Sequence, residues 1–176
     1  AKIAGIKLCE TLYEDNKQDI VCLMPTNVYG YRDNFDKFNG HVIPAMISKF
    51  IEAKKKKFKT IKLLGTGKPV REFIHAYDLS NAIISTLKFS KKKIRKIFKK
   101  KLPIVNVGTG HSIKISDLAN FIAKEIKYEG KIIFDSKYPD GTYKKNLNSN
   151  KIFKLGWTPK IKLKDGLRKV INSRIN

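Results

Sequence analysis

His41 opens a helix-like pattern inside the stretch Pro25 to Phe50, where an apolar run stops at a proline and yields to an Asn, a Tyr-Gly turn and a charged loop. A strand end, a polar loop and a helix N-terminus brought together form the kind of crevice in which α/β sheets hold ligands. Imidazole changes charge near neutral pH, so a histidine placed there is a candidate general acid or base. Read alone, it is a helix-capping or core histidine. Arg71 heads a strand-like pattern and offers a guanidinium fork suited to bidentate phosphate contacts; the plainer reading is a surface arginine. His75 alternates within the same pattern and reads as a packed, hydrogen-bonded residue, while His111 follows a Gly-Thr-Gly turn without an obvious partner. Neither has metal-ligand spacing, and no metal is expected. Cys9 and Cys22 sit in apolar patterns and read as buried free thiols of a reducing compartment.

The elements that must position these groups alternate. A helix over Ala1–Asn16 gathers Ile3, Ile6, Cys9, Leu12 and Tyr13 on one face. The apolar run from Asp19 to Met24 predicts a strand buried on both faces of a parallel sheet. Val42–Lys57 predicts a helix with Ile43, Met46, Ile47, Phe50 and Ile51 as its stripe and Pro44 in its first turn. Strands follow at Ile61–Leu64 and Val70–His75, then a helix from Asp78 through Leu87, a strand at Pro103–Val107, a helix over Ile115–Lys127 and a strand at Lys131–Phe134. A turn at Pro139-Asp140-Gly141-Thr142, a short helix near Ser149–Leu155 and a last helix over Leu163–Ile171 complete the series. This order predicts an α/β fold with a mainly parallel sheet.

Across its 176 residues the chain carries a net charge of +23, from 38 Lys and Arg against 15 Asp and Glu. Such an excess steers polyanions. The lysines, however, concentrate in two runs, Lys54–Lys59 and Lys91–Lys101, with little aromatic surface between them, and read as solvated loops rather than a specific nucleic-acid face. No apolar run reaches the ~20 residues of a membrane span and no signal peptide is visible, so a cytoplasmic protein is expected. A Gly-rich strand-to-helix fingerprint is missing; Gly108-Thr109-Gly110 follows a strand but lacks the third glycine.

Four segments taken in order resemble the extended short-chain dehydrogenase/reductase family of NAD-dependent epimerases and dehydratases. They are Arg71-Glu72-Phe73-Ile74-His75-Ala76-Tyr77-Asp78, Asn106-Val107-Gly108-Thr109-Gly110, Ser112 to Ala123, and Leu155-Gly156-Trp157-Thr158-Pro159 with Asp165-Gly166-Leu167. Within that family, Ala1 to Glu10, Met24 to Gly30, Asp33-Asn34-Phe35 and His41-Val42-Ile43-Pro44-Ala45 are similar to the GDP-L-fucose synthases, which epimerise a GDP-4-keto-6-deoxy-mannose at C3 and C5 and reduce its 4-keto group.

The resemblance implies the C-terminal part of an extended Rossmann fold, with 1–29 and 72–107 closing the NADP-binding domain and 30–71 and 108–176 forming a small substrate-binding lobe. The Gly-rich half, with the catalytic Ser and Tyr and an epimerisation Cys, is then expected upstream, and this stretch alone is expected to be inactive. It further implies that Lys2 is the lysine of a Tyr-x-x-x-Lys pair, catalytic and bound to the nicotinamide ribose; that His41 is the proton-returning acid, also beside the cofactor; and that Pro25, Thr26, Asn27 and Val28 touch the nicotinamide of NADP(H). Lys49, Leu64, Arg71 and Asp140 would bind the GDP-sugar, with Arg71 on the diphosphate. Lys49 and Leu64 depart from the arginine and tryptophan that relatives carry. Read alone, Lys2 is an exposed helical lysine and Asp140 a turn aspartate. A homodimer through the helix at Ala1–Asn16 is also implied. The competing readings are another nucleotide-sugar epimerase, reductase or dehydratase of the same family and, from a different class, a basic nucleic-acid-binding domain.

Overall fold

A computed structural model describes residues 1–16, 18–99 and 101–175. The chain runs α1 (Lys2–Asp15), β1 (Cys22–Pro25), β2 (Asn27–Tyr29), α2 (Val42–Lys55), β3 (Thr60–Leu64), β4 (Val70–His75), α3 (Ala76–Lys88), α4 (Lys91–Phe98), β5 (Ile104–Val107), β6 (Ser112–Lys114), α5 (Ile115–Ile126), β7 (Lys131–Asp135), β8 (Lys144–Lys145), α6 (Asn150–Leu155) and α7 (Leu163–Ile175). The expected α/β architecture is present. β1 pairs β5, β2 pairs β4, β3 pairs β7 and β8 pairs β4, all parallel; only β4–β6 is antiparallel among the described strands.

Two apolar cores form on either side of β4, whose alternating side chains feed both. Phe73 joins α2, α5 and α7 in the larger core, around Phe50, Ile47, Leu118, Ile122 and Ile171. Ile74 joins Ala82, Phe98, Val105, Val107, Ile152, Leu155 and Trp157 in the smaller one. The stripe predicted on α2 is buried at Ile43, Met46, Ile47 and Phe50, Ile51 being half-buried, and Pro44 lies in the first turn where its missing N–H costs nothing. Lys54 and Lys55 end that helix, where cations suit the negative end of its dipole.

Three expectations are corrected. The second lysine run is not a solvated loop: Lys91–Phe98 is a helix, because Ile94, Ile97 and Phe98 recur at helical spacing and press on the smaller core while the lysines face water. The strand at 22–25 is not buried on both faces: β1 pairs only β5 among the described residues, and Met24 and Pro25 are exposed. Cys9 and Cys22 are free as expected, but half-buried rather than buried. Burial, then the hydrogen bond its thiol makes to Cys9, raises the Cys22 thiol above its ordinary range. No helix among the described residues is long and apolar enough to cross a membrane.

Candidate functional site

The chain switches partners at Pro25-Thr26. β1 lies beside β5 and β2 beside β4, so the backbone splits between two strands there, the kind of topological switch at which open parallel sheets take ligands. The loop is held open by polar bonds: the Thr26 N–H donates to Val107 O (3.0 Å), and the Thr26 hydroxyl (3.1 Å) and the Asn27 amide (2.7 Å) both donate to the carbonyl of Glu72. Pro25 is exposed and Val28 half-buried, leaning on the smaller core.

Glu72 is the hub of the site, and sequence reasoning missed it. Its side chain is 1% exposed, yet it faces no cation among the described residues. Instead Oε1 accepts the N–H groups of Thr109 (2.6 Å) and Gly110 (2.8 Å), and Oε2 that of Leu147 (2.8 Å). Backbone N–H groups offset the cost of burying a carboxylate, and a charge so held fixes its donors. A Cβ on Gly108 would stand 2.4 Å from Glu72 Oε1, so glycine is required there. Glu72 thus ties the Pro25–Val28 loop, through its carbonyl, to the Gly-Thr-Gly turn and the segment after β8, through its carboxylate.

The next residue, Arg71, points to the other side. Its guanidinium donates to the carbonyls of Val70 (2.9 Å), Tyr143 (3.4 Å) and Asp140 (3.5 Å), and no carboxylate pairs with it among the described residues. The positive charge is positioned by carbonyls and feels the Asp140 carboxylate without a direct ion pair. Arg71 lines a cavity of about 240 Å³ together with Lys49, Leu64 and Asp140, so all four residues expected to hold the substrate converge on one space. Asp140 builds its wall: Oδ1 accepts the Thr66 N–H (2.6 Å) and Oδ2 the Thr66 hydroxyl (2.5 Å). Those bonds hold the Asp140 carboxyl below its ordinary range. Gly65 permits the approach, with φ +83° and Asp140 Oδ1 2.5 Å from where a Cβ would be.

His41 is the N-cap residue of α2, flanked by Gly40 and Val42, which both line this cavity. Its Nδ1 is 3.0 Å from Oδ1 of Asp33, and its side chain is 79% exposed. An ionised Asp33 only accepts, so Nδ1 carries the proton and Nε2 is left facing outward. Such a pair can orient an imidazole for proton transfer at a bound molecule. Asp33 was legible as part of a motif, not as the orienting partner. Lys2 opens α1, exposed, and does not line the cavity. His75 is the packed residue expected: it is buried, accepts the Tyr77 N–H at Nδ1 (3.1 Å) and meets the Tyr29 ring edge-on at 5.2 Å. Burial lowers its pKa from the usual value. No cluster of metal-ligating groups occurs among the described residues.

Comparison with known proteins identifies the family of the chain. The profile of the NAD dependent epimerase/dehydratase family matches residues 1–108. The probable GDP-L-fucose synthase 1 of Oryza sativa subsp. japonica is 41% identical over 95% of the chain, which covers 48% of that protein. The GDP-L-fucose synthase of Escherichia coli is 41% identical over 95% of the chain and 52% of its own length. The chain therefore spans about half the length of these curated relatives. A crystal structure of a GDP-6-OMe-4-keto-L-xylo-heptose reductase from C. jejuni superposes with a TM-score of 0.87 at 31% identity, covering 99% of the chain and 59% of that structure. With its parallel strands, its chain switch at Pro25-Thr26 and its profile match over residues 1–108, the chain belongs to the NAD dependent epimerase/dehydratase family.

Proposed function

We propose that this chain is the C-terminal part of a GDP-L-fucose synthase, which epimerises a GDP-4-keto-6-deoxy-mannose at C3 and C5 and reduces its 4-keto group with NADPH. The observation that carries this is the convergence of Arg71, Lys49, Leu64 and Asp140 on one cavity; His41, paired with Asp33, does not line it but lies in the chain between Gly40 and Val42, which do. The likeness to plant and bacterial GDP-L-fucose synthases supports the same reading.

In this reading Arg71 and Lys49 hold the diphosphate. Arg71 is free of any carboxylate partner among the described residues and is braced by carbonyls that aim it. Asp140 fixes the Gly65-Thr66-Gly67 wall through Thr66, and Leu64 supplies an apolar side. His41 Nε2 returns a proton to the carbon beside the keto group after that carbon has lost one, while Asp33 holds the ring. Lys2 is the lysine of a Tyr-x-x-x-Lys pair, its charge favouring the tyrosine's phenolate. The nicotinamide end of NADP(H) fits the switch loop: Thr26 and Asn27 are locked to Glu72 O, and the exposed edge at Met24 and Pro25 is open to a planar ring. The fit covers that end only, since these residues include no Gly-rich phosphate loop. When bound, NADPH supplies a hydride. Residues 1–29 and 72–107 belong in this reading to the cofactor domain and 30–71 and 108–176 to the substrate lobe. Catalysis needs the Gly-rich loop and the Ser, Tyr and Cys of the family, so these residues alone are inactive. Pairing of α1 between copies in a cytoplasmic homodimer goes with the same reading, and a monomeric mass for the complete protein would refute it.

The experiment is His41→Gln in the complete protein. It abolishes inversion at the carbons beside the keto group, because no acid returns a proton to the opposite face, while hydride transfer from NADPH persists. A second reading, a nucleotide-sugar reductase without epimerase activity, is favoured by the likeness to the C. jejuni reductase. It predicts no proton exchange in the wild type and no effect of His41→Gln on turnover.

A further inference from the structure

Phe38 is 87% exposed, in a loop braced by its own hydrogen bonds. Asp36 Oδ1 accepts the N–H of Phe38 (2.9 Å) and of Asn39 (2.5 Å), and the Gly40 N–H donates to Asp36 O (3.0 Å). Asn34 Oδ1 in turn accepts the Asp36 N–H (3.0 Å). Lys37 ties the loop to α2 through Glu52 (2.5 Å). The turn is tight enough that a Cβ on Gly40 would meet Asp36 O at 2.3 Å and Asn34 O at 2.5 Å. A single exposed aromatic is ordinary on a protein surface. This one is presented by a fixed loop, and it lines the same cavity as Arg71 and Lys49.

Two further exposed apolar side chains, Val42 and Leu64, line that cavity with it. The space therefore combines exposed apolar surface, including one aromatic face, with the cations Lys49 and Arg71, a third, Lys37, being paired with Glu52. A nucleoside diphosphate has the matching halves: a planar base that loses little by leaving water, and a diphosphate that requires cations. At about 240 Å³ the cavity is too small to enclose a whole nucleotide sugar, so part of the ligand must lie on the exposed rim. We propose that Phe38 is the platform on which the nucleobase of the substrate stacks, with the diphosphate running from it to Lys49 and Arg71. This rests on the nucleotide-sugar reading of the cavity and adds the residue that recognises its base.

The test is equilibrium binding of GDP and of inorganic pyrophosphate to the full encoded chain, as wild type, Phe38→Ala and Phe38→Trp. Stacking of a base on an aromatic ring predicts that Phe38→Ala weakens GDP about 5- to 100-fold while pyrophosphate binding stays unchanged. Phe38→Trp retains GDP affinity within a few-fold. Phe38 is exposed, so neither change threatens folding, and an unaltered Tm is expected. Equal GDP affinity in wild type and Phe38→Ala overturns the stacking role and leaves the cationic floor standing. A parallel loss of GDP and pyrophosphate also overturns it, since the loop would then be supporting the floor. If the wild type binds neither ligand, the nucleotide-sugar reading falls and the stacking role with it.

Discussion

The two cores that share β4 are not equally closed. On one side α2, α5 and α7 wrap Phe50, Ile47, Leu118, Ile122 and Ile171 to near-zero exposure, with Tyr29 OH bridging to Leu163 O. On the other, α1 buries no residue, α3 presents Ile83, Ile84 and Leu87 to solvent, and a groove of about 440 Å³ runs between Tyr13, Val21, Leu23, Ile83 and Phe89. The cavity that collects Arg71, Lys49, Leu64 and Asp140 is walled by the closed side. The switch loop at Pro25–Val28 belongs to the seam. The cavity and the switch loop thus rest on sides closed to different degrees, and Glu72 holds the loop to the Gly-Thr-Gly turn.

The sharpest way to break this contrast is to empty each side in turn. Phe50→Ala should cost about 3–5 kcal/mol in denaturant unfolding, because it opens a cavity in a closed core. Leu87→Ala on the exposed face of α3 should change stability by no more than about 0.5 kcal/mol. Comparable losses at the two positions would mean the sides are equally closed.

Next comes the hub. Glu72→Gln replaces one acceptor oxygen with a donor facing a backbone N–H, which should cost about 2 kcal/mol. Amide hydrogen exchange should quicken at Thr109, Gly110 and Leu147 and stay unchanged in α1. Unaltered exchange at these three amides would show that Glu72 does not hold the seam.

At the cavity, Arg71→Ala should weaken GDP binding about 10- to 100-fold with little change in Tm, since a charge-assisted phosphate contact is lost and no internal ion pair is broken. Arg71→Lys should recover only part of the loss, because the fork becomes a point charge. Affinity unchanged by Arg71→Ala would remove the cationic floor.

The smallest effects are in pH. Burial depresses His75, so its contribution to stability is full above the ordinary histidine pKa of ~6.5 and is lost as pH falls from there through the folded value. Glu52, hydrogen-bonded first by Lys37 and then by Lys56, is lowered from 4.5 to about 2. Its contribution is therefore present above pH 4.5 and lost as pH falls through about 2. Asp140, held down by Thr66, acts in the same direction. An acid titration of Tm should show two declines, and His75→Gln should remove the upper one.

What the sequence revealed follows from where the signals are local. The start of α2 was legible because Pro44 restricts it to a first turn and the apolar stripe begins at Ile43; β4 was legible at both ends. α4 was hidden because eight residues dominated by lysine hide three apolar positions at helical spacing. β6 and β8 are too short to carry a pattern, and each exists only by pairing with β4. Glu72 was quoted within a motif, but a carboxylate in an alternating strand reads as its wet face; its donors lie 37, 38 and 75 residues away. The Thr66 bonds of Asp140 are equally remote, 74 residues along the chain. The cavity residues Lys49, Leu64, Arg71 and Asp140 were found through the family motif, and nothing local in the sequence marks their convergence.

The most direct test of the proposed function is mass spectrometry of the product made by the complete protein from the GDP-4-keto-6-deoxy-mannose and NADPH in D2O. The proposed function predicts a reduced sugar carrying solvent deuterium at both C3 and C5 in the wild type, and a reduced sugar that no longer coelutes with the epimerised product in His41→Gln. A reduced sugar without deuterium at either carbon would contradict it and leave a reductase that does not epimerise.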